Sequence, residues 1–201
     1  MPAQPSGPGR GESAGSGQSV DEGFLLARLA GGDLVAFRTL VDAHLGKVMG
    51  LARRMLGDAT EAEDVAQEAM TRLWREAPGL RLGAAGVGPW LSRVTANLCI
   101  DRLRAGRRQV LSGEIPDTPT PPRQEEALAE QDLGRRVNAA LLRLPERQRQ
   151  ALTLFHYEGM GQAEIAGLMA LSVEAVESLL SRARRTLRDV LEDEWKGLIG
   201  D

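Results

Sequence analysis

Apolar residues recur at three- and four-residue spacing through most of the chain, and no useful stretch alternates with period two. That pattern predicts helices and no sheet. A short helix covers Glu22–Ala30 and stops at Gly31-Gly32. Asp33 suits the cap of a second, which carries Phe37, Leu40, Val41, Leu45, Val48, Ala52 and Met55 and ends at Gly57. Thr60 and Glu63 form a capping-box signature for a third, with Glu61 favourable near its start. This helix buries Ala62, Val65, Ala66, Ala69, Leu73 and Trp74, and Pro78-Gly79 closes it. Its other face carries Asp64, Gln67, Glu68, Thr71 and Arg75. After a glycine-rich loop, Pro89 opens a fourth helix from Trp90 to about Arg104, with Trp90, Leu91, Val94 and Leu98 as its apolar face.

A polar stretch with Pro116, Pro119, Pro121 and Pro122 follows and reads as a linker. In the second helical unit Pro145 starts a helix, and Gly159 to Gly161 break it. Residues 162–188 then carry Ile165, Met169, Leu171, Val176 and Leu179 at helical spacing, with small Ala166 where two helices must cross. This is the pattern of a helix-turn-helix. The expected fold is all-α, with two small helical domains: an N-terminal helical bundle over 21–106 and a C-terminal helix-turn-helix domain over 126–196. A flexible linker over 107–125 joins them. Residues 1–20, rich in Gly, Pro and Ser, are expected to form a disordered tail.

Charge sharpens the picture. The net charge of −3 excludes a uniformly basic DNA coat, but it is unevenly distributed. Residues 93–108 hold five Arg against one Asp, and residues 182–188 hold four Arg and no acid. Between them, residues 112–132 hold six acids against one Arg. Two basic patches on either side of an acidic strap fit contact with nucleic acid at two places.

The helix-turn-helix leaves Ser172, Val173, Glu174, Ala175, Glu177, Ser178, Ser181, Arg182 and Arg185 outward at the start of its second helix. Ser can contact bases or phosphates, Glu can accept from a cytosine amino group, and Arg can grip guanine or phosphate. On the fourth helix Arg93, Asn97, Asp101, Arg104 and Arg108 recur on one stripe, suited to tracking a backbone and bonding an unpaired base. An ordinary charged face, with Asp101 paired to Arg104 or Arg93, fits the same stripe. Asp64, Gln67 and Glu68 fit a solvated face or an acidic docking surface. No nucleophile elbow, Walker loop or Rossmann fingerprint is present, and two His with the single Cys99 give a metal site little support. The GAAGVG run at 83–88 follows no strand. No enzyme, cofactor or metal is expected. Without a membrane-length apolar run or a signal-type N-terminus, neither membrane insertion nor export is expected, and the protein should be cytoplasmic.

Three motifs in order, DATEAEDVAQEAMTRLWR at 58–75, PWLSRVTANLCIDRLR at 89–104 and LPERQRQALTLFHYEGMGQAEIAGLMALSVEAVESLLSRARRTLR at 144–188, make the chain similar to the extracytoplasmic-function (ECF) sigma factors. These are two-domain promoter-specificity subunits of bacterial RNA polymerase. The resemblance covers about residues 22–194. It implies that 58–75 grips the clamp coiled coil of the largest subunit of core RNA polymerase, through Asp64, Gln67, Glu68, Thr71 and Arg75. It implies that 79–104 reads and melts the −10 element of promoter DNA, the loop holding an extruded base while Arg93, Asn97, Arg104, Arg107 and Arg108 line the strand. The helix over 172–185 would read the −35 element. An anti-sigma factor would hold the protein inactive, and the acidic linker would thread toward the polymerase active-site channel. Two departures stand out: Ala170 occupies a turn position where the family usually has Gly, and Val-Glu-Ala-Val-Glu follows Ser172 where the family often has Gly-Thr-Val-Lys. A stand-alone helix-turn-helix regulator with an N-terminal dimerisation or sensing bundle also fits the second unit, but leaves the 58–104 pattern without purpose.

Overall fold

Aspartates start the first three helices of the computed structural model, which describes residues 21–82, 86–111 and 129–199. Asp21 accepts from the backbone N–H groups of Gly23 and Phe24 and caps α1 (Glu22–Ala30). Asp33 accepts from Val35 and Ala36 and caps α2 (Leu34–Leu56). Asp58 accepts from the Glu61 N–H at 2.7 Å and caps α3 (Ala59–Glu76). Each carboxylate satisfies N–H groups that no helix carbonyl reaches. The Thr60–Glu63 capping box is therefore not the start of α3. Asp58, with extended backbone, takes that role, and Thr60 already lies inside the helix. Gly57 ends α2 in the left-handed region at φ 77°, which costs glycine nothing.

The fourth helix, α4 (Val87–Leu111), is longer than the pattern predicts at both ends. It starts two residues before Pro89, whose missing N–H is harmless in a first turn. Residues 107–111, assigned above to the linker, continue the helix because good helix formers run on until well short of Pro116. Its buried stripe is Val87, Leu91, Thr95, Ala96, Cys99 and Ile100, whereas Trp90, Val94 and Leu98 are only half-buried. Thr95 can be buried because its hydroxyl donates to the Leu91 carbonyl at 2.8 Å.

The remaining helices are α5 (Ala129–Leu142), α6 (Glu146–His156), α7 (Gln162–Met169) and α8 (Val173–Ile199). Among the described residues there are no strands. The tail over 1–20, loop residues 83–85 and most of the acidic linker lie outside the described residues.

Two apolar clusters organise the eight helices of the described residues. One joins α1, α2, α3 and the start of α4 through Leu29, Leu40, Leu73, Val87 and Leu91. Phe37 and Trp74 meet edge to face on its border at 5.2 Å, so Trp74 is half-buried and not fully enclosed. The other runs from Leu51 and Met55 of α2, Val65 of α3 and Cys99 of α4 into Leu141, Leu154, Ile165, Val176 and Leu180. The two helical units, expected to sit apart on an extended tether, thus pack together. The far end of α2 leaves apolar side chains that its own bundle does not cover, and α5 and α6 cover them. At this seam Gly57 faces Leu142 so closely that an added Cβ would lie 2.8 Å from a Leu142 methyl. Arg149 Nε donates to the Met55 carbonyl at 3.2 Å, and burial lowers the guanidinium pKa from its ordinary value.

Candidate nucleic-acid interface

The α7–α8 pair forms a small rigid platform. Ile165, Ala166, Met169, Val176, Leu180 and Ala183 are buried, which fixes the crossing of the two helices. Leu171 and Leu179 are half-buried, and Leu180 carries core weight that periodicity assigned to Leu179. The turn is made by Ala170 at φ 52° and ψ 54°, where the Leu171 N–H returns to the Ala166 carbonyl at 2.9 Å. Alanine takes the left-handed position of this turn.

Outward from this platform stand Ser172, Val173, Glu174, Glu177, Ser181, Arg182 and Arg185, all exposed, with Ala175 and Ser178 half-buried beside them. The structure leaves all nine at least partly exposed over the first turns of α8 and its cap. Ser172 has a second task. Its hydroxyl oxygen accepts from the Ala175 N–H at 3.2 Å, capping α8. Glu174 is held ionised below the usual carboxylate range, first by its own backbone N–H and then by the Ser172 hydroxyl. Of the neighbouring arginines, Arg184 lies over the Phe155 ring at 5.6 Å.

On α4, Arg93, Asn97, Arg104 and Arg108 are exposed along one stripe. Arg107 is not with them: it turns to Glu146 of α6 in a bidentate contact that raises its pKa. Asp101 lies 3.9 Å from Arg104, a loose exposed pair that contributes little. Arg93 instead meets Glu164 of α7 at 2.5 Å, and Ser92 donates to Glu158 at 2.5 Å. These contacts cross the seam between the two units, and no local sequence signal could have revealed them. Arg54 stacking on Tyr157, 4.1 Å from the ring centroid, is another of the same kind.

On α3, Asp64, Gln67 and Arg75 are exposed, and Glu68 and Thr71 are half-buried. Glu68 pairs with Arg72 one turn on at 3.0 Å. Asp64 lies 3.6 Å from Arg102, which contacts Glu61 more closely and has its pKa raised mainly by that bond. Asp64 and Glu68 therefore keep carboxylate capacity for a partner. Among the described residues, no group of three or more His, Cys, Asp or Glu is placed to hold a metal, and no helix is long and apolar enough to cross a membrane. Cys99 is buried, which pushes its thiol up to about 12 and leaves it unreactive.

Residues 40–109 match the family model for sigma-70 region 2, and residues 134–187 match that for sigma-70 region 4. The RNA polymerase sigma-H factor of Pseudomonas aeruginosa is 33% identical over 84% of this chain and 92% of its own length. The ECF RNA polymerase sigma factor SigW of Bacillus subtilis is 31% identical over 81% of this chain and 92% of its own. A probable RNA polymerase sigma factor, RfaY of Xanthomonas campestris, is 35% identical, although this chain spans only 43% of its length. The sigma factor RpoE of Bartonella quintana, solved with the anti-sigma factor NepR, shares the fold at a TM-score of 0.57 and 23% identity, covering 78% of this chain and 96% of that one. The chain belongs to the ECF sigma factors. It is an alternative sigma factor, whose partners are core RNA polymerase and promoter DNA.

Proposed function

We propose that residues 21–106 and 126–196 act as separate promoter-reading units within the holoenzyme, parting at their seam to do so. The observation that carries this reading is that one chain presents two exposed nucleic-acid-compatible faces, the start of α8 and the α4 stripe. The α8 face enters the major groove of the −35 element. Val173, 41% exposed, offers an apolar contact for a thymine methyl, and Arg182 and Arg185 reach guanine or phosphate. Glu174 and Glu177 accept from cytosine amino groups. The α4 stripe of Arg93, Asn97, Arg104 and Arg108 lines the opened −10 strand, and Arg107 joins it once released from Glu146. The α3 face of Asp64, Gln67, Glu68, Thr71 and Arg75 docks on the clamp coiled coil of the largest subunit.

Extruding a base from the duplex costs on the order of a few kcal/mol, which stacking and hydrogen bonds to the captured base must offset. The protein contributes binding and orientation; the nucleotidyl chemistry belongs to the polymerase, so it is not itself an enzyme, and it works in the cytoplasm where polymerase and promoter are. An anti-sigma factor holds it inactive, as the related fold solved with NepR supports. Run-off transcription with core polymerase on a promoter library tests the whole reading. The expected result is start-site selection governed by two sequence elements. Transcription no more selective than that of core alone would overturn it.

A further inference from the structure

α1 precedes the stretch that matches region 2, yet its first residue reaches the start of α4. Glu22 Oε2 accepts from the backbone N–H of Val87 at 2.7 Å, across 65 residues of chain. Val87 is the first residue of α4, so its N–H is one that no carbonyl of the helix can satisfy. Gly86, just before it, has no side chain to serve as a cap. Glu22 supplies the cap from another helix, and its negative charge sits at the positive end of the α4 dipole. Its other oxygen, Oε1, lies 3.0 Å from Nε2 of buried His44 in α2, poorly aligned for a hydrogen bond but close enough to fix both groups.

The backbone is fitted to this arrangement. Gly86 has φ +73°, and a Cβ there would overlap Glu22 Oε2. Three helices therefore meet at one carboxylate. The middle of α4 is secured by its own core residues and by the Arg102 contacts with α3, whereas its first turn is held by buried Val87 and by this cap.

We infer that Glu22 is a positioning residue for promoter opening: it fixes the start of α4 and thereby the register in which Arg93 and Asn97, on the next turns, meet the opened strand. This rests on the reading of α4 as the −10 surface. The test uses full-length protein with core polymerase. Permanganate reactivity of −10 thymines reports opening, and core affinity, −35 duplex binding and thermal unfolding are measured alongside. Glu22→Ala is expected to lower opening several-fold with core affinity and −35 binding unchanged. Glu22→Gln, whose amide oxygen still accepts from Val87, is expected to recover most of the opening. Gly86→Ala, which keeps Glu22 but fills its seat, is expected to reproduce the defect. Opening at the normal level in folded Glu22→Ala or Gly86→Ala protein overturns the inference. So does a Glu22→Ala loss that appears equally in core affinity, −35 binding and unfolding, because that is a merely structural role. If Arg93→Ala with Asn97→Ala also leaves opening intact, the α4 reading itself has failed; if that pair impairs opening and Glu22→Ala does not, only the positioning role is lost.

Discussion

Arg93 Nε donates to Glu164 Oε1 at 2.5 Å, so a cation on the exposed stripe of α4 is held by the first turn of the helix-turn-helix. Ser92 is held by Glu158 and Arg107 by Glu146 in the same way. On the proposed reading of this stripe, a carboxylate that already neutralises a guanidinium weakens its pull on a phosphate, so the acids of the second unit would compete with the opened strand. Replacing Glu158 and Glu164 together by Gln should strengthen binding of single-stranded −10 DNA. Arg93 is 60% exposed at its side chain, so water and salt screen the pair. Such pairs contribute about 0.2–1 kcal/mol, which makes the expected gain roughly 1.4- to five-fold. Fluorescence anisotropy with a labelled oligonucleotide measures it. An affinity equal to that of the unaltered protein would show that the contact does not compete with DNA.

Arg182 stands exposed one turn beyond the half-buried Ser178, on the face that α7 leaves open. Arg182→Ala should weaken −35 binding by about 1–3 kcal/mol and relax preference at one position if the guanidinium reads a base. If it touches only phosphate, the loss should be uniform across sequences and the salt slope should become shallower by about one. Titration of several −35 variants at two salt concentrations separates these. Binding indifferent to the change would remove Arg182 from the interface.

Local chemistry was legible in the sequence wherever its cause was local. The end of α1 and both ends of α2 follow from Gly31, Asp33 and Gly57, whose caps need only a few neighbouring residues. The α8 face was legible because the apolar residues of the helix-turn-helix occupy its other side. The start of α3 was misplaced because two residue patterns, Asp58 and Thr60–Glu63, compete for one cap, and only the backbone at Asp58 decides. The α4 stripe was rotated because Trp90 and Val94 look like core but only border the first cluster, while Thr95 and Cys99 look unremarkable and are fully enclosed. The seam itself, with Glu146, Glu158 and Glu164 facing α4, rests on pairings 39 to 71 residues apart, for which periodicity carries no signal.

Asp64 and Glu68 lie one turn apart on α3, each with only one acid–base neighbour in its own bundle. Asp64→Asn with Glu68→Gln should lower affinity for core polymerase while leaving −35 duplex binding unchanged. Hydrogen bonds to charged groups contribute about 1.5–3 kcal/mol each, so a loss of at least tenfold is expected. Arg102 keeps its closer partner Glu61, so the fold should not be disturbed. Competition for core against the unaltered protein measures the effect. Equal competition would defeat the docking role of this face.

Ala170 is the only non-glycine residue with positive φ among the described residues, and it sits at the turn on which the α7–α8 angle depends. A Cβ in the left-handed region costs about 1–2 kcal/mol. Glycine removes that cost but loses about 0.4–1 kcal/mol through the freer unfolded chain. Ala170→Gly should therefore stabilise the protein by up to about 1.6 kcal/mol, the difference between these two effects. The −35 face should keep its affinity, since Ser172 still caps α8 from the same position. Chemical denaturation, at equal m-value, measures the gain. A destabilised Ala170→Gly protein would mean that the turn does not hold a left-handed residue here, and that the recognition helix is set by some other contact.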